Sequence, residues 1–143
     1  MNEKHVTSAE VETNVLGAEV AKDIKPGSVV ALYGVLGAGK TVFTKGLARG
    51  FGISARILSP TFTLMREYPL PGGKGKLYHF DLYRLKSANE LKSVNLKELI
   101  GEKKSIVVIE WAEKAKKFLP KDAVTVKFKV TKETGREITI SEG

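Results

Sequence analysis

Eight consecutive residues, Gly34-Val35-Leu36-Gly37-Ala38-Gly39-Lys40-Thr41, match the pattern G-x-x-x-x-G-K-[ST] of a loop that cradles phosphate groups. The chemistry accounts for the spacing. Glycines allow backbone conformations in which successive N–H groups converge on one anion. A helix beginning at Lys40 points its positive end at the same place. Lys40 then reaches the β- and γ-phosphates, and the Thr41 hydroxyl is offered to Mg²⁺. The phosphate contacts are therefore expected from Gly34, Leu36, Gly37, Ala38, Gly39, Lys40, Thr41 and Val42.

Such a loop works with a second acid, which serves the metal or polarises an attacking water. Its usual place is the end of a second apolar strand. Ile106-Val107-Val108-Ile109-Glu110 supplies Glu110. A second candidate is Asp81, within His79-Phe80-Asp81-Leu82-Tyr83-Arg84. Asp81 suits either a metal site or a structural pair with Arg84. His79 is assigned a structural role, because no second His or Cys accompanies it at metal-ligand spacing. Ser59-Pro60-Thr61 is either a turn before a strand or a segment that senses the γ-phosphate. Trp111 follows Glu110 directly and so belongs either to the core or near the nucleotide.

The elements that must position these groups are legible from patterning. Val29 to Tyr33 and Ser105 to Ile109 are continuous apolar runs of strand length, as expected for strands buried on both faces. Phe43, Gly46, Leu47 and Phe51 recur at helical spacing and predict a helix over 40–50. Thr7-Ser8-Ala9-Glu10 reads as a capping box. Val11, Val15 and Ala18 then predict a helix over 8–23. Residues 61–68 and 76–82 read as strands joined by the Gly/Pro-rich stretch Pro69 to Gly75. Residues 87–101 read as one or two short helices, and 112–118 as another. Val124 to Val130 and Glu137 to Ile140 predict a C-terminal hairpin. The sum is an α/β fold: a mixed, mostly parallel central sheet flanked by helices in a three-layer sandwich.

The chain has 143 residues, 42% hydrophobic and 28% charged, which fits one folded domain over 1–143. It has no cysteine, so disulfides, Cys-based zinc sites and thiol nucleophiles are excluded. The first residues carry acid and lack an apolar core stretch, unlike a signal peptide. No apolar run approaches the roughly 20 residues of a membrane span. A cytoplasmic location is the expectation. The net charge is +8. Residues 1–60 hold seven basic and five acidic side chains, and residues 61–143 hold 17 and 11. That surplus suits either a lysine-rich solvated surface or a basic docking face for an acidic partner. No N-K-x-D stretch supports guanine selectivity, and little length remains for the lid and acceptor region of a small-molecule kinase.

Taken in order, these motifs resemble the TsaE (YjeE) family of bacterial ATPases. The matching stretches are Gly34 to Thr41, Ser59-Pro60-Thr61-Phe62-Thr63-Leu64, Glu67-Tyr68, His79 to Leu85 and Ile109-Glu110-Trp111-Ala112-Glu113. The resemblance implies an ATP–Mg²⁺-binding protein that hydrolyses ATP slowly when alone. It would join TsaD and TsaB in making threonylcarbamoyladenosine in tRNA, with tRNA met through that complex and no membrane involved. By motif, Lys40 and Thr41 bind phosphate and Mg²⁺, Asp81 and Glu110 serve metal and water, Thr61 is switch-like, and Trp111 lies near the nucleotide. The family often has Asp where this chain has Val35, and Gly near Asn95. A small-molecule kinase, or a nucleotide-gated RNA-binding module without useful hydrolysis, are the alternatives.

Overall fold

Apolar runs buried on both faces need neighbours on both sides, and the chain supplies them from a single mixed sheet. A computed structural model describes residues 2–60, 63–73 and 75–142. The elements in chain order are β1 (Asn2–Thr7), α1 (Glu10–Ala21), β2 (Val29–Tyr33), α2 (Lys40–Gly50), β3 (Met65–Pro69) and β4 (Lys76–Asp81). A 3₁₀ segment (Ala88–Val94) and α3 (Leu96–Ile100) follow. Then come β5 (Ile106–Glu110), a second 3₁₀ segment (Ala112–Phe118), β6 (Val124–Val130) and β7 (Arg136–Glu142). The sheet order is β1-β7-β6-β2-β5-β4-β3. The central strands β6, β2, β5 and β4 run parallel to one another. Antiparallel pairing at the flanks, β3 with β4 and β7 with both β6 and β1, completes it.

Parallel strands must be covered on both faces. One face packs Val30, Leu32, Leu77 and Val108 against Leu16 of α1 and Phe43 and Leu47 of α2. The other packs Ala31, Phe80, Val107 and Ile109 against Leu91, Leu96 and Ala112. The α/β three-layer expectation holds. No helix among the described residues is long and apolar enough to cross a membrane.

Three local readings differ. β1 was not expected from the sequence. It is a short polar strand, Asn2-Glu3-Lys4-His5-Val6-Thr7, held at the sheet edge by backbone pairing to β7. Charged residues on such an edge also discourage pairing with another chain.

Secondly, the capping box does not form. The N-cap of α1 is Ala9, with no side-chain cap bond. Glu12, not Glu10, accepts the Ser8 N–H at 2.8 Å and its hydroxyl at 3.0 and 3.1 Å. Thr7 Oγ1 instead meets Thr13 Oγ1 at 2.8 Å.

Thirdly, α1 buries a different face from the one that carries Val11 and Val15. Val11 and Val15 are exposed, while Thr13, Leu16, Gly17, Val20 and Ala21 are buried. The reason is close helix packing between α1 and α2. A Cβ placed on Gly46 would lie 2.0 Å from the Asn14 carbonyl oxygen, and one on Gly17 would lie 2.4 Å from that of Phe43. Absent side chains at Gly17 and Gly46 select this face together with the apolar Leu16, Val20 and Ala21. The consequence is testable. In an open helix Gly→Ala stabilises by about 0.5–1 kcal/mol, but overpacking against backbone costs roughly 1–3 kcal/mol or more. Gly46→Ala is therefore expected to destabilise the protein by about 1–2 kcal/mol net in urea unfolding, and a rise in stability would refute the packing argument.

Asn95 adopts φ 54°, ψ 38°. That is the left-handed region, in which asparagine is several-fold enriched among non-glycine residues.

Candidate functional site

Strand register decides which side chains share a face. In β4 and β5 Asp81 pairs with Glu110, and His79 with Val108. In β2 and β5 Leu32 pairs with Glu110. Side chains alternate along a strand, so His79, Asp81 and Glu110 share the face of Leu32, which is the face covered by α2. They also lie at or near the carboxyl ends of parallel strands, where open α/β sheets form their ligand crevices.

The loop leaves β2 at Gly34, where β6 passes so closely that a Cβ would sit 3.0 Å from Phe128 Cβ. It enters α2 through Gly39, whose φ of 103° favours glycine. The first helical bond runs from the Phe43 N–H to the Gly39 carbonyl at 2.9 Å. Lys40 is only 4% exposed. Its ammonium donates to the Gly34 carbonyl and, at 3.1 Å, to that of Val35. It also lies 4.0 Å from the centroid of the Trp111 ring, a cation–π contact. Burial pushes the Lys40 pKa down, and the negative charges of Glu110, Glu113 and Asp81 partly offset this.

Glu110 is 2% exposed and heavily engaged. The Thr41 hydroxyl lies 3.0 and 3.1 Å from its two carboxylate oxygens and donates to them. His79 Nε2 lies 2.6 Å from Oε2, and the ring is fully buried. Asp81 is likewise buried, and its Oδ1 accepts the Tyr83 N–H at 3.0 Å. Trp111 has φ 61°, ψ 45°. This left-handed turn directly after β5 brings its indole back over Lys40. A non-glycine residue there costs on the order of 1–2 kcal/mol, and such outliers concentrate at functional sites.

Lys40, Thr41, Asp81, Glu110 and Trp111 line one cleft of about 340 Å³, with Leu36, Gly37, Ala38, Gly39 and Val42 on the loop side. Glu10, Ser59 and Tyr83 also line it. Gly34 meets the site through its carbonyl, as the acceptor for Lys40. Thr61 lies outside the described residues. Arg84 is exposed and does not line the cleft. The exposed Val35 side chain is not among the lining residues either.

Sequence reasoning assigned His79 a structural role and did not link it to Glu110. The register of β4 against β5 is what brings it to Glu110, and spacing within one strand could not show that. Thr41, Asp81 and Glu110 are hard oxygen donors. Among the described residues no group of three His, Cys, Asp or Glu side chains could hold a metal alone. This donor set fits Mg²⁺, which proteins usually hold through one or two carboxylates together with substrate phosphates.

Comparison with known proteins decides the family. The sequence model of "Threonylcarbamoyl adenosine biosynthesis protein TsaE" matches residues 7–138. The chain belongs to the TsaE family. The TsaE protein of Treponema pallidum is 40% identical over 136 residues, covering 95% of this chain and 98% of that one. That of Bacillus subtilis is 38% identical over 130 residues, covering 91% and 79%. Both are named tRNA threonylcarbamoyladenosine biosynthesis proteins. Among solved structures, the crystal structure of Bacillus subtilis YdiB superposes with a TM-score of 0.80 at 35% identity, covering 99% of this chain and 86% of that one. The TsaE match spans every element from α1 to β6 and all the residues that line the cleft.

Proposed function

We propose that this chain binds ATP–Mg²⁺ and hydrolyses it, slowly when alone, as the ATP-driven partner of TsaD and TsaB in making threonylcarbamoyladenosine in tRNA. It is not itself the transferase. The observation that carries the reading is the meeting of Lys40, Thr41 and Glu110 in one cleft at the mouth of the glycine loop. The names of the TsaE relatives supply the pathway.

The residues divide the work as follows. Loop N–H groups and Lys40 hold the phosphates, for which Lys40 must leave the Gly34 and Val35 carbonyls. Thr41, with Asp81 near it, would hold Mg²⁺ through its hydroxyl oxygen in place of the bond to Glu110, and the ion would supply charge neutralisation at the phosphates. Glu110, freed from Thr41 but still held by His79, orients the attacking water. Asp81 serves the metal's surroundings. Trp111 packs its ring beside the nucleotide.

No arginine lines the described cleft. An arginine at the transferring phosphate can be worth ~10³–10⁵ in rate, so turnover is expected to rise when partners are present. The experiment is co-purification with TsaD and TsaB, with and without ATP. ATP-dependent retention supports the reading. A chain that never associates, yet releases ADP only with a small-molecule acceptor, is a kinase instead.

A further inference from the structure

One cation beside the loop is not among the residues assigned to it. Arg136 opens β7, and its backbone pairs with Val130 of β6 and Thr7 of β1. Its guanidinium reaches the glycine loop, 98 positions away in the sequence. Nε donates to the Ala38 carbonyl at 3.1 Å, and Nη2 to the Gly37 carbonyl at 3.1 Å. On its other side Nη1 donates to the carbonyls of Gly135 at 2.9 Å, Glu133 at 3.2 Å and Lys132 at 3.4 Å. Among the described residues, the guanidinium bonds only to backbone carbonyls.

We propose that Arg136 is a positioning residue of the phosphate loop, fixing the outer carbonyl face of Gly37 and Ala38 so that the inner face presents its N–H groups to the phosphates. The inference rests on the nucleotide reading above.

The argument is geometric. A peptide unit is planar and trans, so its carbonyl and the following N–H point in opposite directions. With the Gly37 carbonyl held by Nη2, the Ala38 N–H is driven inward, and it meets the Val35 carbonyl at 3.1 Å. That same carbonyl accepts Lys40, which marks the phosphate side of the loop. With the Ala38 carbonyl held by Nε, the Gly39 N–H is turned the same way. Glycines on both sides of Ala38 leave this segment free to rotate otherwise: φ is 80° at Gly37 and 103° at Gly39. A flexible loop held from outside by a rigid fork loses less entropy when an anion binds. Lysine has a single ammonium and no planar fork, so it cannot hold the Gly37 and Ala38 carbonyls from one edge and the hairpin carbonyls from the other.

The test uses the full chain with Arg136→Gln and Arg136→Lys. ATP–Mg²⁺ affinity is measured by calorimetry well below each variant's unfolding transition. Backbone hydrogen exchange is followed in the same samples. Both variants are expected to bind roughly tenfold more weakly, the equivalent of about 1.4 kcal/mol and one hydrogen bond to a charged group. Exchange should quicken across the loop, residues 35–40, as well as in the hairpin turn. A residue that merely braces the hairpin would change exchange in residues 131–136 and leave the loop and the affinity unaltered, which overturns the proposal. Parental affinity in Arg136→Lys alone also overturns it, in favour of simple charge. If the parent chain binds no ATP–Mg²⁺, the nucleotide reading fails. In that case quickened loop exchange in both variants still supports the mechanical hold, and unchanged exchange overturns it.

Discussion

Replacing Lys40 by alanine is expected to lower ATP–Mg²⁺ affinity by about a hundredfold or more in calorimetry. The side chain is the loop's only flexible cation directed at the phosphates, and hydrogen bonds to charged groups contribute roughly 1.5–3 kcal/mol each. Two decades correspond to about 2.7 kcal/mol, within that range for one contact. Its ammonium is held beside the Gly34 and Val35 carbonyls and the Trp111 ring, and bound phosphate would replace the carbonyl contacts. Burial lowers its pKa, whereas incoming phosphate charge favours the protonated form. Trp111 is the sole tryptophan, so its emission gives a second readout, shifted by ATP–Mg²⁺ in the parent and unshifted in the variant. Parental affinity in Lys40→Ala would remove the loop from the account.

The second large effect separates binding from turnover. Glu110→Gln is expected to keep ATP–Mg²⁺ affinity within a few fold and to lower the hydrolysis rate by roughly 10²–10⁴, the usual contribution of a positioned acid or base. The amide preserves shape, and His79 can still bond to it through its other tautomer. What is lost is the charge that orients water. Asp81→Asn should behave differently. Its carboxylate accepts the Tyr83 N–H and stands next to Glu110 in register, so the change should raise the Mg²⁺ concentration needed for binding. Parental hydrolysis by Glu110→Gln would reduce Glu110 to the end of a strand.

Much of this site can be read without coordinates because its chemistry is local. The apolar run Val29 to Tyr33, the glycine loop and the helix from Lys40 are contiguous, and each is bounded as the pattern requires. Glu110 is legible because an apolar strand ends on it. What stayed hidden depends on register or on missing atoms. His79 meets Glu110 only because β4 runs parallel to β5. Arg136 meets the loop only because β7 lies beside β6, which lies beside β2. The buried face of α1 carries Leu16 and Val20 one turn apart, and Gly17, Gly46 and Gly50 let the two helix backbones approach there. β1 has an almost wholly polar sequence and is a strand through its partner. The left-handed turn at Trp111 likewise has no sequence signal, since a tryptophan is among the less expected residues there.

In the proposed ATP cycle the cleft must rearrange. Thr41 and Glu110 bond to each other, and Lys40 bonds to its own loop. Nucleotide must break these contacts before it is held for reaction. The basic surplus after residue 60 suits either a lysine-rich solvated surface or, in the proposed complex, a docking face for an acidic partner or tRNA, whose attraction salt would screen beyond about 8 Å at physiological ionic strength.

The most direct test of this account is reconstitution of threonylcarbamoyl transfer with TsaD, TsaB, tRNA, ATP and the activated threonylcarbamoyl donor, counting modified adenosines per TsaD. With the chain present, modification should continue through many turnovers. Without it, or with Lys40→Ala or Glu110→Gln in its place, modification should stop near a single turnover. Equal multiple-turnover modification without the chain, or with both variants, would contradict the assignment of an ATP-driven role in this reaction.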